Sequence, residues 1–138
     1  MQITVSPLRD LHALEVHALY KLRVDIFVHE QQCPYAEIDT TDALNTTQHI
    51  LAWNDNGDLL GCARVFSGDH GTHIGRFVVI PTARKTGIAH EILTRAIKLG
   101  GNYLEAQSPL VGYYARYGFS PCGAEFLDES IPHTPMKR

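Results

Sequence analysis

One joint in the chain combines residue types that suit phosphate binding. Residues 81–89 read Pro-Thr-Ala-Arg-Lys-Thr-Gly-Ile-Ala and lie between a strand-like and a helix-like segment. The first turn of a helix leaves backbone N–H groups without partners, and the helix dipole makes that end positive. Gly87 would let a ligand approach the backbone closely, and Arg84 and Lys85 add positive charge. The joint therefore predicts a phosphate-binding turn, and a glycine that only permits tight packing is the simpler alternative.

A tyrosine-rich run further along the chain supplies candidate proton donors. Residues 113–119 read Tyr-Tyr-Ala-Arg-Tyr-Gly-Phe. A phenol that is held in a reaction site can protonate a leaving group. Any of the three tyrosines can equally be a packing residue, so residue type alone does not select one.

Hydrophobic periodicity places both segments in an α+β fold. Apolar residues recur at helical spacing over residues 8–30 and from residue 88 to residue 99, where Gly100 and Gly101 end the second helix. The other predicted elements are strands at 2–6, 49–53, 59–66, 73–80 and 103–106, a short helix at 109–117, and one or two strands around a turn at 128–132. The order β-α-β-β-β-α-β-α-β predicts a mixed sheet, and without a repeat or linker we expect residues 1–138 to form one domain.

The composition is that of a globular protein and argues against two classes of function. Apolar residues make up 44% of the chain, yet no apolar run approaches the roughly 20 residues that a membrane helix needs. A net charge of −3 argues against general affinity for nucleic acid. The first residues lack the pattern of a signal peptide, and the three cysteines form no CxxC pair. We therefore expect a cytoplasmic protein with reduced thiols and no membrane or nucleic-acid partner.

Charge is unevenly distributed along the chain. Residues 1–63 carry three Lys or Arg against nine Asp or Glu, whereas residues 64–138 carry nine against six. Residues 24–63 contain seven acids and no Lys or Arg. This asymmetry predicts an anionic ligand on the C-terminal half and a cationic one near the N-terminal half, and ordinary surface variation is the alternative.

The two candidate segments together resemble the GNAT superfamily of N-acetyltransferases. Its pattern is matched by Arg-x-x-Gly-x-Ala at residues 84–89 after a strand, followed by Tyr-x-x-x-Gly-Phe at residues 114–119. Local runs at both ends of the chain are similar to the ElaA-like subgroup: Leu22-Arg23, Phe27-Val28, Glu30-Gln31, Cys33-Pro34-Tyr35, and Ile131-Pro132-His133 followed by Met136. The resemblance spans nearly the whole chain and implies a mixed, mostly antiparallel central sheet flanked by helices.

The resemblance also implies an enzyme that moves an acetyl group from acetyl-CoA to a primary amine by direct transfer. The resemblance also implies that Tyr114, at the motif position, would stand near the CoA sulfur. The residues implied to bind CoA are the backbone of Val78, Val79 and Ile80 for the pantetheine arm, and the turn of Arg84, Lys85, Thr86, Gly87, Ile88 and Ala89 for the pyrophosphate. Lys85 and Thr86 replace a usual glycine-rich pair, which matters little where backbone donors bind the ligand.

A base is needed because an amine attacks a thioester only when it is neutral. Glu30 is the first candidate because it ends the predicted helix in the subgroup-like run, and a solvated surface acid is the alternative. His133 is the second, because an imidazole can change protonation near neutral pH, and a structural hydrogen bond is the alternative. Glu37, Asp39 and Asp42 are weaker candidates in the neighbouring loop.

Other functions remain open at this stage. A CoA-binding regulatory or interaction module without turnover is the alternative to an enzyme. The acceptor is expected to be a small-molecule or peptide amine. The sequence does not fix the oligomeric state, and the resemblance leaves a homodimer open because GNAT-like folds often dimerise. His70 and His73 flank a turn without Cys or carboxylate partners at zinc-site spacing, so we expect no metal.

Overall fold

The computed structural model describes residues 1–32 and 36–138. Within these ranges the chain forms eight strands and three α-helices. The strands are Gln2–Ser6 (β1), Gln48–Trp53 (β2), Leu59–Gly68 (β3), Gly71–Val79 (β4), Tyr103–Gln107 (β5), Ser120–Pro121 (β6), Phe126–Asp128 (β7) and Ile131–Lys137 (β8). The α-helices are Ala13–Arg23 (α1), Ile88–Lys98 (α2) and Val111–Ala115 (α3).

All strands belong to one mixed sheet, which confirms the predicted fold class. The strand order is β1-β2-β3-β4-β5-β8-β6, with β7 paired to β8. Every pairing is antiparallel except that of β4 with β5. The parallel pair shares only one register contact, between His73 and Tyr103. Beyond that contact β4 and β5 separate toward their C-terminal ends.

The predicted helix over residues 8–30 is divided into three parts. Leu8–Asp10 is a short 3₁₀ turn, α1 begins at Ala13, and a π-helix over Val24–Glu30 extends α1. Periodicity does not distinguish these parts because apolar spacing is similar in all of them. The hydrogen bond from the Gln31 amide to the Ile26 carbonyl, five residues back, is what identifies the wider π geometry.

The C-terminal segment contains more strand than the sequence predicts. β7 and β8 form a hairpin around Glu129 and Ser130, which both have positive φ. β8 lies between β5 and the short strands β6 and β7 although it contains Pro132 and Pro135. Proline lacks the N–H that a strand ladder uses, so these residues hide the strand from sequence inspection.

Two hydrophobic clusters cover the sheet unequally. On one face α2 packs Ile92, Leu93 and Ala96 against strands from β2 to β8. On the other face Leu19 and Leu22 of α1 pack only against β2, β3 and β4, and no residue of β5 or β8 belongs to that cluster. The second face of β5 and β8 is therefore left open beside α1. Among the described residues no helix is both long and apolar enough to cross a bilayer.

Candidate active site

A cavity of about 210 Å³ opens where β4 and β5 separate. Its walls come from the π-helix, the three strands β3, β4 and β5, the 3₁₀ turn before α3, and the β7–β8 hairpin. The polar and charged lining residues are Gln31, Arg64, His73, Arg76, Glu105, Gln107, Tyr114, Asp128 and His133. A gap between parallel strands exposes unpaired backbone groups, so an extended ligand can lie along β4 there.

A β-bulge in β4 shapes the cavity wall. Cys62 and Arg64 of β3 lie opposite Val78 and Gly75, so β4 holds one extra residue in this stretch. Arg76 in the bulge has a φ of 48°, which is unusual for a residue with a side chain. A bulge of this kind bends the strand that contains it and increases its local twist.

The turn before α2 has the geometry of an anion-binding helix end. Gly87 is the N-cap of α2 with a φ of 91°, and Lys85 also has a positive φ of 65°. The described residues offer no hydrogen-bond acceptor to the amides of residues 88–90. A Cβ built on Gly87 meets no atom within 4 Å, so the space in front of these amides is open. The turn fits the phosphate groups of a CoA co-substrate, and its role as their binding site stays a prediction.

The other residues of the turn face several directions. Thr86 donates its hydroxyl to the Ala83 carbonyl, Ile88 is buried in the core, and Ala89 packs partly against it. Arg84 bends away from the turn: its Nε donates to the Val79 carbonyl at 2.9 Å, and its guanidinium holds the Glu30 carboxylate at 3.0 Å. Arg84 must leave these partners before it can contact a phosphate.

The backbone of residues 78–80 is only partly available to a ligand. The Ile80 amide donates to the Leu60 carbonyl of β3. The Val78 carbonyl also points toward β3, because it lies 2.8 Å from the position of a Cβ on Gly61. In an extended strand the backbone groups of successive residues point to opposite edges, so Val79 is the residue directed toward the gap. Of the three residues predicted for the pantetheine arm, Val79 is therefore best placed, through its N–H group, because its carbonyl accepts from Arg84.

Tyr114 lies in the wall of the cavity at the end of α3. Its ring makes edge contacts with Phe77, Tyr113 and Phe119, at centroid distances of 6.4, 5.2 and 6.4 Å. Its hydroxyl makes no hydrogen bond to the described residues, and burial raises its pKa to about 12. The phenol therefore stays protonated at neutral pH and keeps its proton for a group that enters the cavity.

The two predicted bases occupy different places. His133 lines the cavity, and its Nδ1 donates to the Ile131 carbonyl at 2.8 Å. A carbonyl can only accept, so the proton sits on Nδ1 and the Nε2 lone pair is left free to take a proton. Glu30 does not line the cavity among the described residues, because Arg84 holds its carboxylate near α2. Its role as base stays a prediction, and the geometry favours His133.

The acids of the loop near the cavity are bound in a buried ion-pair network. Arg23, which is 1% exposed, contacts Glu37 at 2.8 Å and Asp42 at 2.7 Å. Arg64 contacts Asp39 and Asp42, and Arg76 contacts Glu37. Three guanidinium groups thus balance three carboxylates. Their ion pairs reduce the charge that these carboxylates can offer to a cationic acceptor, and their role as bases stays a prediction.

The network shifts the pKa values of its acids in different directions. Burial alone would raise the pKa of Asp42, but hydrogen bonds and charge from Arg23 outweigh it and lower that pKa to about 2. A hydrogen bond from Arg64 lowers the pKa of Asp39. Burial raises the pKa of Glu37 despite its arginine partners. Asp42 is therefore the acid whose ionised form contributes most clearly to the folded state.

Several lining residues escape prediction from the sequence. Glu105 alternates with buried neighbours on β5 and reads as an ordinary surface acid, and Asp128 reads as a turn residue. Arg64 and His73 become visible only when β3, β4 and β5 are placed side by side. What identifies them is the register between neighbouring strands, and a single sequence does not reveal that register. Cys33, Pro34 and Tyr35, which helped to suggest the subgroup, lie outside the described residues.

The described residues contain no group of three His, Cys, Asp or Glu side chains that could hold a metal ion. Tyr114 lines the cavity, whereas none of the residues predicted to bind CoA, 78–80 and 84–89, is among its described lining residues, so a site that joins the turn to the cavity stays a prediction.

Comparison with known proteins identifies the family. The model of the acetyltransferase (GNAT) domain family matches residues 17–138. A UPF0039 protein of Mycobacterium tuberculosis is 38% identical over 94% of this chain and 88% of its own length. Protein ElaA of Escherichia coli is 31% identical over 94% of this chain and 90% of its own length.

Solved structures agree with this assignment. An acyl-CoA N-acyltransferase from Pseudomonas aeruginosa is 36% identical and superimposes with a TM-score of 0.92 over 100% of this chain and 99% of its own. The structure of Escherichia coli ElaA gives the same TM-score at 28% identity, with the same coverage. The chain therefore belongs to the GNAT acetyltransferase family, in the group that includes ElaA and the UPF0039 proteins, and is an acyl-CoA-dependent acyltransferase.

Proposed function

We propose that the protein transfers an acetyl group from acetyl-CoA to a primary amine. The observation that carries this proposal is the protonated, unpartnered Tyr114 phenol in the cavity where β4 and β5 separate. A thioester laid along β4, with its phosphates at the start of α2, would bring its sulfur toward this wall. An amine would then approach through the open face of β5 and β8.

The proposed reaction is one displacement through a tetrahedral intermediate. The neutral amine nitrogen attacks the thioester carbonyl and forms the C–N bond of the intermediate, in which the carbonyl oxygen carries the negative charge. Collapse of the intermediate restores the carbonyl and breaks the C–S bond. The departing thiolate takes the Tyr114 proton, and the nitrogen gives one of its protons to a base. Free CoA and an N-acetyl amine result, and the phenolate of Tyr114 regains a proton from solvent.

We propose His133 as that base because it lines the cavity and its Nε2 makes no hydrogen bond to the described residues. Hydrogen bonding through Nδ1 fixes the tautomer, as in other sites where a carbonyl orients a catalytic imidazole. Its ring also stacks on Phe126 at a centroid distance of 5.7 Å, which restricts its rotation. A fixed acceptor near the attacking nitrogen is the arrangement that general base catalysis requires.

The acceptor is proposed to be cationic in solution, but the acids that support this proposal are not those of residues 24–63, on which the sequence-based prediction depends. Glu37, Asp39 and Asp42 are neutralised by arginines. Glu105 and Asp128 line the cavity and make no ion pair with the described residues. Turnover on cationic amines should fall as salt rises, because the Debye length shrinks from about 10 Å at 0.1 M to about 3 Å at 1 M.

The alternative is a CoA-binding module without turnover. The unpaired Nε2 of His133 and the free phenol of Tyr114 favour an enzyme over this alternative. The deciding experiment measures CoA release from acetyl-CoA with a panel of primary amines and identifies the products by mass spectrometry. Tight acetyl-CoA binding with no N-acetyl product from any amine would contradict the proposal.

A further inference from the structure

A row of residues on three neighbouring strands lines the cavity. Arg64 of β3 is the register partner of Gly75 of β4. The parallel contact of His73 with Tyr103 puts Glu105 at the level of Gly75, since both lie two residues further along. Residues two apart in a strand share a face, so Arg64, Gly75 and Glu105 all belong to the open face and border the cavity.

Arg64 carries a buried donor without an acceptor. Its side chain is 5% exposed, and both terminal nitrogens are bonded to Asp39 or Asp42. Its Nε is buried and has no hydrogen-bond partner among the residues that the structure describes. Buried donors without a partner are uncommon in folded proteins. In the wall of a binding cavity, such a donor indicates that a ligand supplies the acceptor.

Gly75 leaves space next to that donor, although the Nε atom itself is buried. A Cβ at this position would lie 3.9 Å from the Arg64 Nε and 3.4 Å from Cε1 of Phe66. The missing side chain therefore creates a notch beside the N–H group. An oxygen atom of a ligand fits such a notch, whereas a bulky protein side chain there would cover the donor.

Glu105 provides a negatively charged hydrogen-bond acceptor on the other side of the notch from the Arg64 donor. Its Oε2 accepts a hydrogen bond from the Tyr103 hydroxyl at 3.2 Å, and its side chain is exposed. It makes no ion pair with the described residues, whereas the charge of Arg64 is balanced by Asp39 and Asp42. The row thus offers a carboxylate for an ammonium group and a charge-balanced N–H donor for an oxygen.

We propose that the acceptor is an amine that carries a carbonyl or carboxylate oxygen close to its nitrogen, as in an amino-acid amide, an amino acid or a peptide N-terminus. This inference rests on the proposed acetylation of amines. The oxygen accepts from the Arg64 Nε through the notch at Gly75, and Glu105 faces the amine. Paired strands lie about 4.8 Å apart and β4 and β5 separate further here, so the Glu105 side chain has to reach across the gap to an amine whose oxygen lies at Gly75.

The test compares glycinamide with isobutylamine, which has the same number of heavy atoms but no oxygen. Because an amine next to a carbonyl is less basic than an alkylamine, kcat/KM is expressed per neutral amine. The wild-type protein should prefer glycinamide by at least about tenfold, since one hydrogen bond to a charged group is lost with isobutylamine. Glycine as a third acceptor shows whether a carboxylate serves as well as an amide.

The Gly75→Ala variant tests the contribution of the notch independently of the rest of the site. The new Cβ makes ordinary contacts, so the protein should fold, and kcat/KM should fall more for glycinamide than for isobutylamine. Gly112→Ala is the matched control, because its Cβ meets nothing within 4 Å, and it should keep the wild-type preference. Glu105→Gln should weaken both amines alike, and unchanged KM values for both would overturn its assignment.

Two results would overturn the proposal: equal wild-type kcat/KM for the two amines, or a preference that survives Gly75→Ala. If no amine is acetylated, the proposed function fails, and binding of the same pair is measured by saturation-transfer NMR with CoA present. Stronger binding of glycinamide that Gly75→Ala abolishes would support the oxygen site without turnover. Equal binding of the two amines would overturn it.

Discussion

Removal of one oxygen atom from Tyr114 tests the proposed acid directly. Tyr114→Phe keeps the ring and its edge contacts with Phe77, Tyr113 and Phe119. The hydroxyl makes no hydrogen bond to the described residues, so the folded state loses little when it is removed. We expect the free energy of unfolding and the affinity for acetyl-CoA to stay close to those of the wild type.

The expected effect on rate follows from the state of the phenol. With a pKa of about 12, only about one Tyr114 in ten thousand is ionised at pH 8, so nearly every molecule can donate. Loss of a positioned proton donor typically lowers kcat by about 10²–10⁴, which is roughly 2.7–5.4 kcal/mol in the activation barrier. The loss should persist across neutral and mildly alkaline pH, because the phenol does not titrate there.

The assay is CoA release with the best amine, followed for three phenylalanine variants. Tyr113→Phe and Tyr117→Phe are controls, because neither ring lines the cavity and the Tyr117 hydroxyl is bonded to His90 at 2.9 Å. Both should stay within a few fold of wild-type kcat. Full activity in Tyr114→Phe would refute the role assigned to the phenol, and water would then be the proton source.

Three further predictions concern the base, the CoA turn and the acid stability. His133→Asn should lower kcat by about 10² or more, whereas Glu30→Gln should lose far less than tenfold, and the reverse order would restore Glu30 as the base. Gly87→Val should abolish the rise in melting temperature that acetyl-CoA causes. Gly57→Val is the control, because Gly57 also has a positive φ, of 83°, and open space around it, and it should keep the rise. A rise that persists in Gly87→Val would exclude the turn from the CoA site. The pKa of Asp42 falls from 3.8 to about 2 on folding, so its ionised form stabilises the protein above pH 4, and this contribution is lost as the pH drops toward 2. The free energy of unfolding, measured with urea, should therefore fall by roughly 2 kcal/mol more between pH 4 and pH 2 in the wild type than in Asp42→Asn. Parallel pH profiles of the two proteins would contradict this role of Asp42.

The fold was largely predictable because its elements carry strong local signals. The meander of β2, β3 and β4 follows from alternating residues and from the Asn-Gly turn, and α2 follows from its apolar spacing and its closing glycines. β6, β7 and the prolines of β8 were harder to read. Their strand geometry depends on neighbours that are distant in sequence, and local propensity does not report those neighbours.

The sequence by itself determined the family and predicted the position of the CoA turn and the candidate acid, because each depends on a short run of residues with fixed spacing. Only the tertiary structure decided which charges are free. Arg23, Arg64 and Arg76 lie far apart in sequence from some of the acids that they neutralise, and Glu30 meets Arg84 across 54 positions. The notch at Gly75 likewise exists only because sheet register places it between Arg64 and Glu105. Electrostatic balance and cavity shape depend on distances through space, and a linear pattern does not encode them.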